Sequence, residues 1–357
     1  MVEYGRILAF SLDLIPFLPT SILPPREEAG GVVLGVDENG REVYLDWRRL
    51  PNFHGIIVGS TGSGKSTLAK SLIMDLQEEG IGAVIIDPHG EYKHFVERMG
   101  GVVIDMQENA VNPLELYTQK PETRADNLAL ACSLILGLSG EEEAEIREVF
   151  LEVLEKDSEA FPENIFNELD PSTAFKLKTL FEGWKKPFVS ISTILEELRP
   201  IVLVYKSRGS PMPLRKSRFL TWVLLELVAD YMSSKGIRSK PDVIVVLDEA
   251  HRMLSLGGEE NVLVRCYRET RKFGYGFWVL TQSPTDLPLI LYELAGFIIL
   301  LSGPERYVRS ISTIVRLGPR EIDWLLYNTR GIGVLVRQGD PRPRRIKLRV
   351  RGEALEK

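Results

Sequence analysis

The segment Gly59-Ser60-Thr61-Gly62-Ser63-Gly64-Lys65-Ser66 fits the pattern G-x-x-x-x-G-K-[ST] at every fixed position. Glycines at such spacing let backbone N–H groups converge on phosphate oxygens, and a helix starting there adds its positive end. The lysine of the pattern, Lys65, reaches β and γ phosphates, and the hydroxyl of Ser66 ligates Mg²⁺. Gly59 to Thr67 is therefore the expected grip on ATP and Mg²⁺. The context that the pattern needs is also present: Gly55-Ile56-Ile57-Val58 reads as a buried strand before the loop, and Thr67 to Glu79 reads as a helix after it.

Hydrolysis needs more than a grip. Asp248-Glu249 ends the apolar run Val243-Ile244-Val245-Val246-Leu247. A carboxylate at Asp248 can hold Mg²⁺, directly or through water. The next residue, Glu249, can orient and deprotonate the attacking water. Gln282 follows Phe277-Trp278-Val279-Leu280-Thr281. A neutral amide there can touch the γ phosphate or the lytic water and report which nucleotide is bound. Asp87-Pro88-His89-Gly90-Glu91-Tyr92 leaves a third strand end, where open α/β sheets bind ligands, so Glu91 and His89 could bear on the water or on a neighbouring subunit; Asp, Pro and Gly also make a plain turn. Arg265, Arg268 and Arg271-Lys272 share a face at helical spacing. That row reads either as a solvated basic face or, at Arg271, as an arginine finger acting in a neighbour's site. Further basic clusters lie at Arg199 to Arg218 and at Arg342 to Arg351. They could neutralise DNA phosphates or simply face water.

The elements that must position these groups alternate as βα units. Ala83-Val84-Ile85-Ile86-Asp87 and Val102-Val103-Ile104-Asp105 are strands, as is Phe297-Ile298-Ile299-Leu300-Leu301. Strands alternating with helices imply a mostly parallel sheet with helices on both faces. The expected fold is α/β, with core segments at 51–120 and 236–335. Residues 1–50 read as a short β-rich segment, in which Asn39-Gly40 turns a hairpin between Val32–Val36 and Glu42–Leu45. Residues 121–235 read as a mostly helical insertion, with a capping box at Ser139 and Glu142 and a possible short strand at Ile201–Tyr205. Gly331 to Val350 reads as two strands around the turn Gly339-Asp340-Pro341, and residues 336–357 read as a basic C-terminal strand and arm.

Composition sets the outer bounds. The chain has 357 residues, 44% hydrophobic and 26% charged, with a net charge of −6. These values suit a globular α/β protein and exclude one coated in basic residues. Two cysteines, Cys132 and Cys266, are too few and too far apart for a disulfide framework or a zinc site and read as free thiols in a reducing cytoplasm. The apolar stretch Ile7 to Leu23 is broken by Asp13, Pro16 and Pro19 and lacks a basic lead, so no intrinsic membrane span is expected.

Together these motifs resemble the HerA/FtsK superfamily of DNA-translocating ATPases. Gly59–Thr67, Asp-Pro-His-Gly-Glu-Tyr at 87–92, Asp-Glu-Ala-His at 248–251 and Arg271-Lys272-Phe273-Gly274 before Thr281-Gln282 carry the resemblance. Asn112-Pro113-Leu114 is similar to the conjugation ATPases of type IV secretion. The resemblance implies a RecA-like P-loop core, a homo-hexameric ring, ATP sites between subunits and double-stranded DNA as partner. It implies that Glu249 is the catalytic carboxylate, Gln282 the sensor and Arg271 the trans-acting arginine. A nuclease or a membrane complex is an expected further partner. The rival expectation is a secretion or assembly ATPase that acts on protein. Phe53-His54 departs from the family, which often has a basic residue there, and 50 residues are short for the family's N-terminal barrel.

Overall fold

The structure, a computed structural model, describes residues 31–156, 165–181, 188–196, 199–207, 210–250, 261–269, 273–327 and 330–355. Its frame is an eleven-stranded sheet. In chain order the strands are β1 (Gly31–Asp37), β2 (Glu42–Asp46), β3 (Gly55–Val58), β4 (Gly82–Asp87), β5 (Val102–Asp105), β6 (Ile201–Val204), β7 (Val243–Leu247), β8 (Tyr275–Thr281), β9 (Phe297–Leu301), β10 (Ile332–Arg337) and β11 (Arg344–Leu348). Across the sheet they run β2-β1-β11-β10-β9-β3-β8-β7-β4-β6-β5. From β9 to β5 every pairing is parallel. From β9 to β2 every pairing is antiparallel.

The apolar runs explain the parallel half. β3, β4, β7, β8 and β9 are buried at every position. That pattern belongs to strands covered by helices on both faces. Alternate residues feed two cores. Ile56, Val84, Val245, Val279 and Ile298 face one, and Ile57, Ile85, Ile244, Leu280 and Ile299 face the other. On the second face lies α1 (Lys65–Glu78), which buries Leu68, Leu72, Ile73 and Leu76. On the first lie α2 (Pro121–Leu136), α3 (Leu214–Ser234) and α4 (Val262–Glu269).

Two placements within the sheet go beyond what the sequence indicated. The short strand expected at Ile201–Tyr205 forms at Ile201–Val204 and joins the main sheet. It is a fully buried strand, paired on one side with β4 and on the other with β5. The helices around it cover the first face of the same sheet. At the other end, the hairpin β1–β2 and the C-terminal strand β11 are not appendages, because β11 joins β1 to β10 and extends the core sheet. Residues 31–357 form a single compact unit. The hairpin turn is held as its sequence suggests, with Asp37 Oδ1 accepting from the N–H groups of Asn39 and Arg41 at 2.8 Å each. The capping box forms too: the Ser139 N–H donates to Glu142 at 2.9 Å, and the Glu142 N–H donates to Ser139 Oγ at 3.2 Å.

Beneath the sheet, the helices of the first face share a buried charge network. Arg124 on α2 donates to the carbonyl of Pro113 through Nε at 2.9 Å and through a terminal nitrogen at 2.6 Å. Its other terminal nitrogen meets Glu226 on α3 at 3.0 Å. Glu226 also accepts from Trp222 Nε1 at 3.0 Å and from Arg265 on α4. So Arg265 is half-buried in an ion pair rather than on a solvated basic face. Cys132 and Cys266 are buried free thiols. Among the described residues, no helix is long and apolar enough to cross a membrane.

Candidate active site

Because β3, β4, β7 and β8 run parallel, their carboxyl ends open on one edge, and each leads into a segment that the sequence marks for chemistry. β3 leads into the glycine-rich loop, β4 into Asp87–Tyr92, β7 into Asp248-Glu249, and β8 into Gln282. The register sets Thr281 beside Val58, so Gln282 emerges next to the loop. A cavity of about 680 Å³ joins these ends and is lined by Thr61 to Leu68, Lys70, Glu91, Asp248, Glu249 and Gln282.

The loop has the backbone that its glycines permit. Gly62 and Gly64 take φ values of 76° and 100°, in the left-handed region that side chains rarely adopt. A Cβ on Gly59 would sit 2.3 Å from Ser63 Oγ. Helix α1 then starts at Lys65, with its first N–H groups at the cavity. Lys65 turns its ammonium back onto the carbonyl of Gly59 at 2.7 Å. Burial lowers its pKa, while Glu249, Asp248 and Glu91 pull the other way.

The acidic side faces the loop. Ser66 Oγ stands 3.5 Å from Asp248 Oδ2. Asp248 is 5% exposed, and its pKa is pushed up to about 7, first by burial and then by Glu249, Glu91 and Asp87. A carboxylate so placed calls for a cation. Glu249 sits in a left-handed conformation, φ 50°, and donates its N–H to Asp248 Oδ1 at 2.9 Å. Such a backbone costs of order 1–3 kcal/mol and is kept where the site demands it. Gln282 joins the two sides: its amide nitrogen donates to Glu249, and its carbonyl accepts from Thr61 Oγ1 at 2.6 Å.

The residues fit ATP and Mg²⁺. Ser63 Oγ is buried in the loop with no hydrogen-bond partner among the described residues, as a group awaiting a ligand would be. No cluster of three His, Cys, Asp or Glu side chains stands ready for a metal among those residues. The hydroxyl of Ser66 and the carboxylate of Asp248 would suit Mg²⁺, with phosphate oxygens and water completing its shell.

Other expected residues fall as follows. Asp87 accepts from the N–H groups of His89, Gly90 and Tyr92 at 3.1, 2.8 and 2.8 Å, which shapes the turn. This leaves Glu91 on the cavity wall and His89 exposed. Arg271, Lys272 and His251 lie outside the described residues. Of the C-terminal basic row, Arg344 pairs with Asp340, Arg345 with Glu38 and Glu321, and Arg351 with Asp75 and Glu78. Those charges serve the fold. Where a basic residue is frequent in the family, His54 is fully buried and its pKa falls to about 3 through desolvation. Several residues in or behind the cavity wall escaped the sequence reading. Tyr92 lies fully buried with its hydroxyl beside Ser66 and Asp248. Lys70 had a signal, since it follows Ser66 by one helical turn. Arg330, Leu348, Val350 and Leu355 also line the cavity and had none.

A family model described as the central domain of helicase HerA matches residues 30–212, a little over half of the chain. This chain belongs to the HerA central-domain family. Within that HerA/FtsK-like group of P-loop ATPases, the matched span runs through the helical segment and β6. DNA translocase FtsK of Haemophilus influenzae is 34% identical over 101 residues, 26% of this chain and 18% of that protein. The DNA double-strand break repair helicase HerA of Pyrococcus furiosus is 22% identical over 311 residues, 69% of this chain and 55% of that protein. The chain spans 11% to 55% of the length of the curated relatives it matches. The solved structure of VirB4 of Thermoanaerobacter pseudethanolicus superposes with a TM-score of 0.74 at 21% identity, over 92% of this chain and 99% of that one. This HerA-family chain therefore shares the RecA-like fold of VirB4.

Proposed function

We propose that this HerA-family chain is the motor subunit of a homo-hexameric ring that moves double-stranded DNA, with ATP hydrolysed between subunits. The observation that carries the reading is the single cavity shared by Lys65 and Ser66 with Asp248, Glu249 and Gln282. Relatives named as a DNA translocase and a DNA repair helicase supply the substrate class.

ATP·Mg²⁺ supplies the labile phosphoanhydride and the charge that neutralises it. The chain supplies the rest. The loop N–H groups and Lys65 hold the phosphates. Ser66 and Asp248 hold the metal. Glu249 accepts a proton from the attacking water as its oxygen bonds to phosphorus and the bridging oxygen leaves with ADP. Gln282 spans from Thr61 to Glu249, so a change at the phosphate loop reaches the base through one side chain. Arg271 of a neighbouring subunit adds positive charge to the transferring phosphoryl group. A nuclease or a membrane complex would couple the ring to its pathway.

The test is ATP turnover with and without duplex DNA, together with particle mass in the presence of both. Stimulation by DNA and a six-subunit mass are expected. No stimulation and no DNA binding at low salt would sink the DNA reading and leave a motor acting on protein.

A further inference from the structure

The cavity has a lining of two chemically distinct parts. The glycine-rich loop and the carboxylates are polar. The apolar residues Leu348, Val350 and Leu355 also line it, and Arg330 stands beside the loop at Gly62. We propose that this C-terminal arm, Leu348 to Leu355, is the nucleoside wall of the site, seating the base and ribose while the loop holds the phosphates. The proposal rests on the nucleotide reading above and adds a subsite to it.

Three observations support it. First, the arm is fastened to the very helix that the phosphate loop begins. The Arg351 N–H donates to Ser71 Oγ on α1 at 3.1 Å, and its guanidinium meets Asp75 and Glu78 at 2.6 Å each. Ser71 and Asp75 are buried, so that part of the clamp is inside the fold, while Glu78 closes it from the surface. Second, the start of the arm is held by backbone bonds and its end by burial. Leu348 N–H donates to Gly331 at 2.8 Å, and Arg349 N–H to Leu34 at 2.9 Å, while Ala354 is buried. The arm is thus fixed to the helix that the loop begins. Third, Leu355 is 64% exposed in a segment otherwise anchored. A large apolar side chain held out over a nucleotide cavity gains by covering an apolar ring face. Arg330 bounds the same space, its guanidinium 3.8 Å from where a Cβ on Gly62 would lie. A planar cation there can stack on a base.

The occupant follows from continuity. The wall opens into the phosphate site, so its ligand is the part of ATP that the loop does not reach. Inorganic tripolyphosphate carries the phosphates without the nucleoside and separates the two parts. Calorimetric titration of the full chain with Mg²⁺ and either AMP-PNP or tripolyphosphate is the experiment. Leu355→Glu puts a charge against the base and, at an exposed position, leaves the fold intact. It should weaken AMP-PNP about tenfold, equivalent to about 1.4 kcal/mol, and shift tripolyphosphate by less than about twofold. Leu355→Met, which keeps the apolar contact, should bind both ligands as the wild type does. Val350→Glu should repeat the selective loss. Unchanged AMP-PNP affinity in both Glu variants, or equal weakening of both ligands, overturns the subsite. A wild-type chain that binds tripolyphosphate and AMP-PNP equally also overturns it, whereas one that binds neither refutes the nucleotide reading itself.

Discussion

Glu226→Gln removes one charge from the middle of the helical layer and changes almost nothing else in shape. The carboxylate is 3% exposed and answers two guanidiniums, Arg124 at 1% and Arg265 at 26% exposed side chain. The glutamine can still accept from Trp222, but its NH₂ must now face an arginine N–H. Arg124 cannot turn to water, because its remaining nitrogens are fixed on the Pro113 carbonyl. Breaking a buried pair by removing one partner costs about 3–5 kcal/mol. Against a typical total of about 5–15 kcal/mol, that is about a fifth of the stability at the least. For a chain of this size each kcal/mol moves Tm by about 2 °C, so the variant should melt about 6–10 °C below the wild type. Circular dichroism at 222 nm reads the shift. The double variant Arg124→Met/Glu226→Met removes both buried charges, and Arg265 can reach solvent. It should recover more than half of the loss, though not all, because the Pro113 carbonyl then lacks its donors. A Glu226→Gln melting point within about 2 °C of the wild type would refute the argument that this charge is uncompensated. So would a double variant as unstable as the sum of the two single ones.

Other outcomes are open to direct measurement. Glu249→Gln should bind ATP with unchanged affinity and turn over about 10²–10⁴-fold more slowly, as single-turnover kinetics would show. Gln282→Ala should lower kcat about 10²-fold with little change in nucleotide Kd, because it frees Glu249 from Thr61 without touching the phosphate grip. Lys65→Ala should weaken ATP by about 10- to 100-fold in equilibrium titration, the cost of charge-assisted bonds to phosphate. His54 gives a pH signature. Its pKa of about 3 in the fold lies below the ordinary 6.5, so the unfolded chain binds the proton that the folded chain refuses. Stability is full above pH 6.5 and declines as pH falls toward 3, by about 2 kcal/mol at pH 5. His54→Gln should flatten that acid limb in denaturant titrations, and an unchanged limb would exclude His54 as its source.

The residues that meet in the cavity were largely legible because their patterns are local. The loop at 59–66, the carboxylates at 248–249 and the strands before them are contiguous patterns whose physics acts over a few residues. The hairpin and the capping box are local for the same reason. What escaped reading depends on pairing across the chain. Ile201–Val204 is only four residues long, flanked by helices and Pro200, and nothing in its own pattern says that it slots between β4 and β5. The C-terminal arginines read as an open basic row, because their acidic partners Glu38, Asp75, Glu78 and Glu321 are distant in sequence. Leu355 is invisible as a wall of the cavity until β11 brings the arm to α1.

The helical layer also bears on the chemistry, through α4. This helix is pinned twice. Arg265 ties it to Glu226 on α3. Tyr267 ties it to the sheet, its hydroxyl donating to the carbonyls of Gly55 and Phe277 at 3.0 Å each. The His54 ring stacks on Tyr267 at 4.4 Å and on Phe277 at 5.8 Å, and its Nδ1 accepts from the Phe277 N–H at 3.2 Å. A cation at position 54 would break that stack, so the fold has spent the position on packing rather than on charge. Gly55 begins the strand that ends at the phosphate loop, and Phe277 lies on the strand that ends at Gln282. The same helix therefore grips the starts of both strands whose far ends hold Thr61 and Gln282. A rigid strand carries a displacement along its length, and a side chain misplaced by 1 Å at the chemistry can cost about 10² in rate. Loosening α4 by Glu226→Gln should thus lower kcat even at temperatures where the variant remains folded. Tyr267→Phe, which removes only the hydroxyl bridge, should lower it as well, with nucleotide affinity kept in both. If turnover in the folded variants equals that of the wild type, the helical layer supports the sheet's stability alone, and the position of Gln282 is set within the sheet.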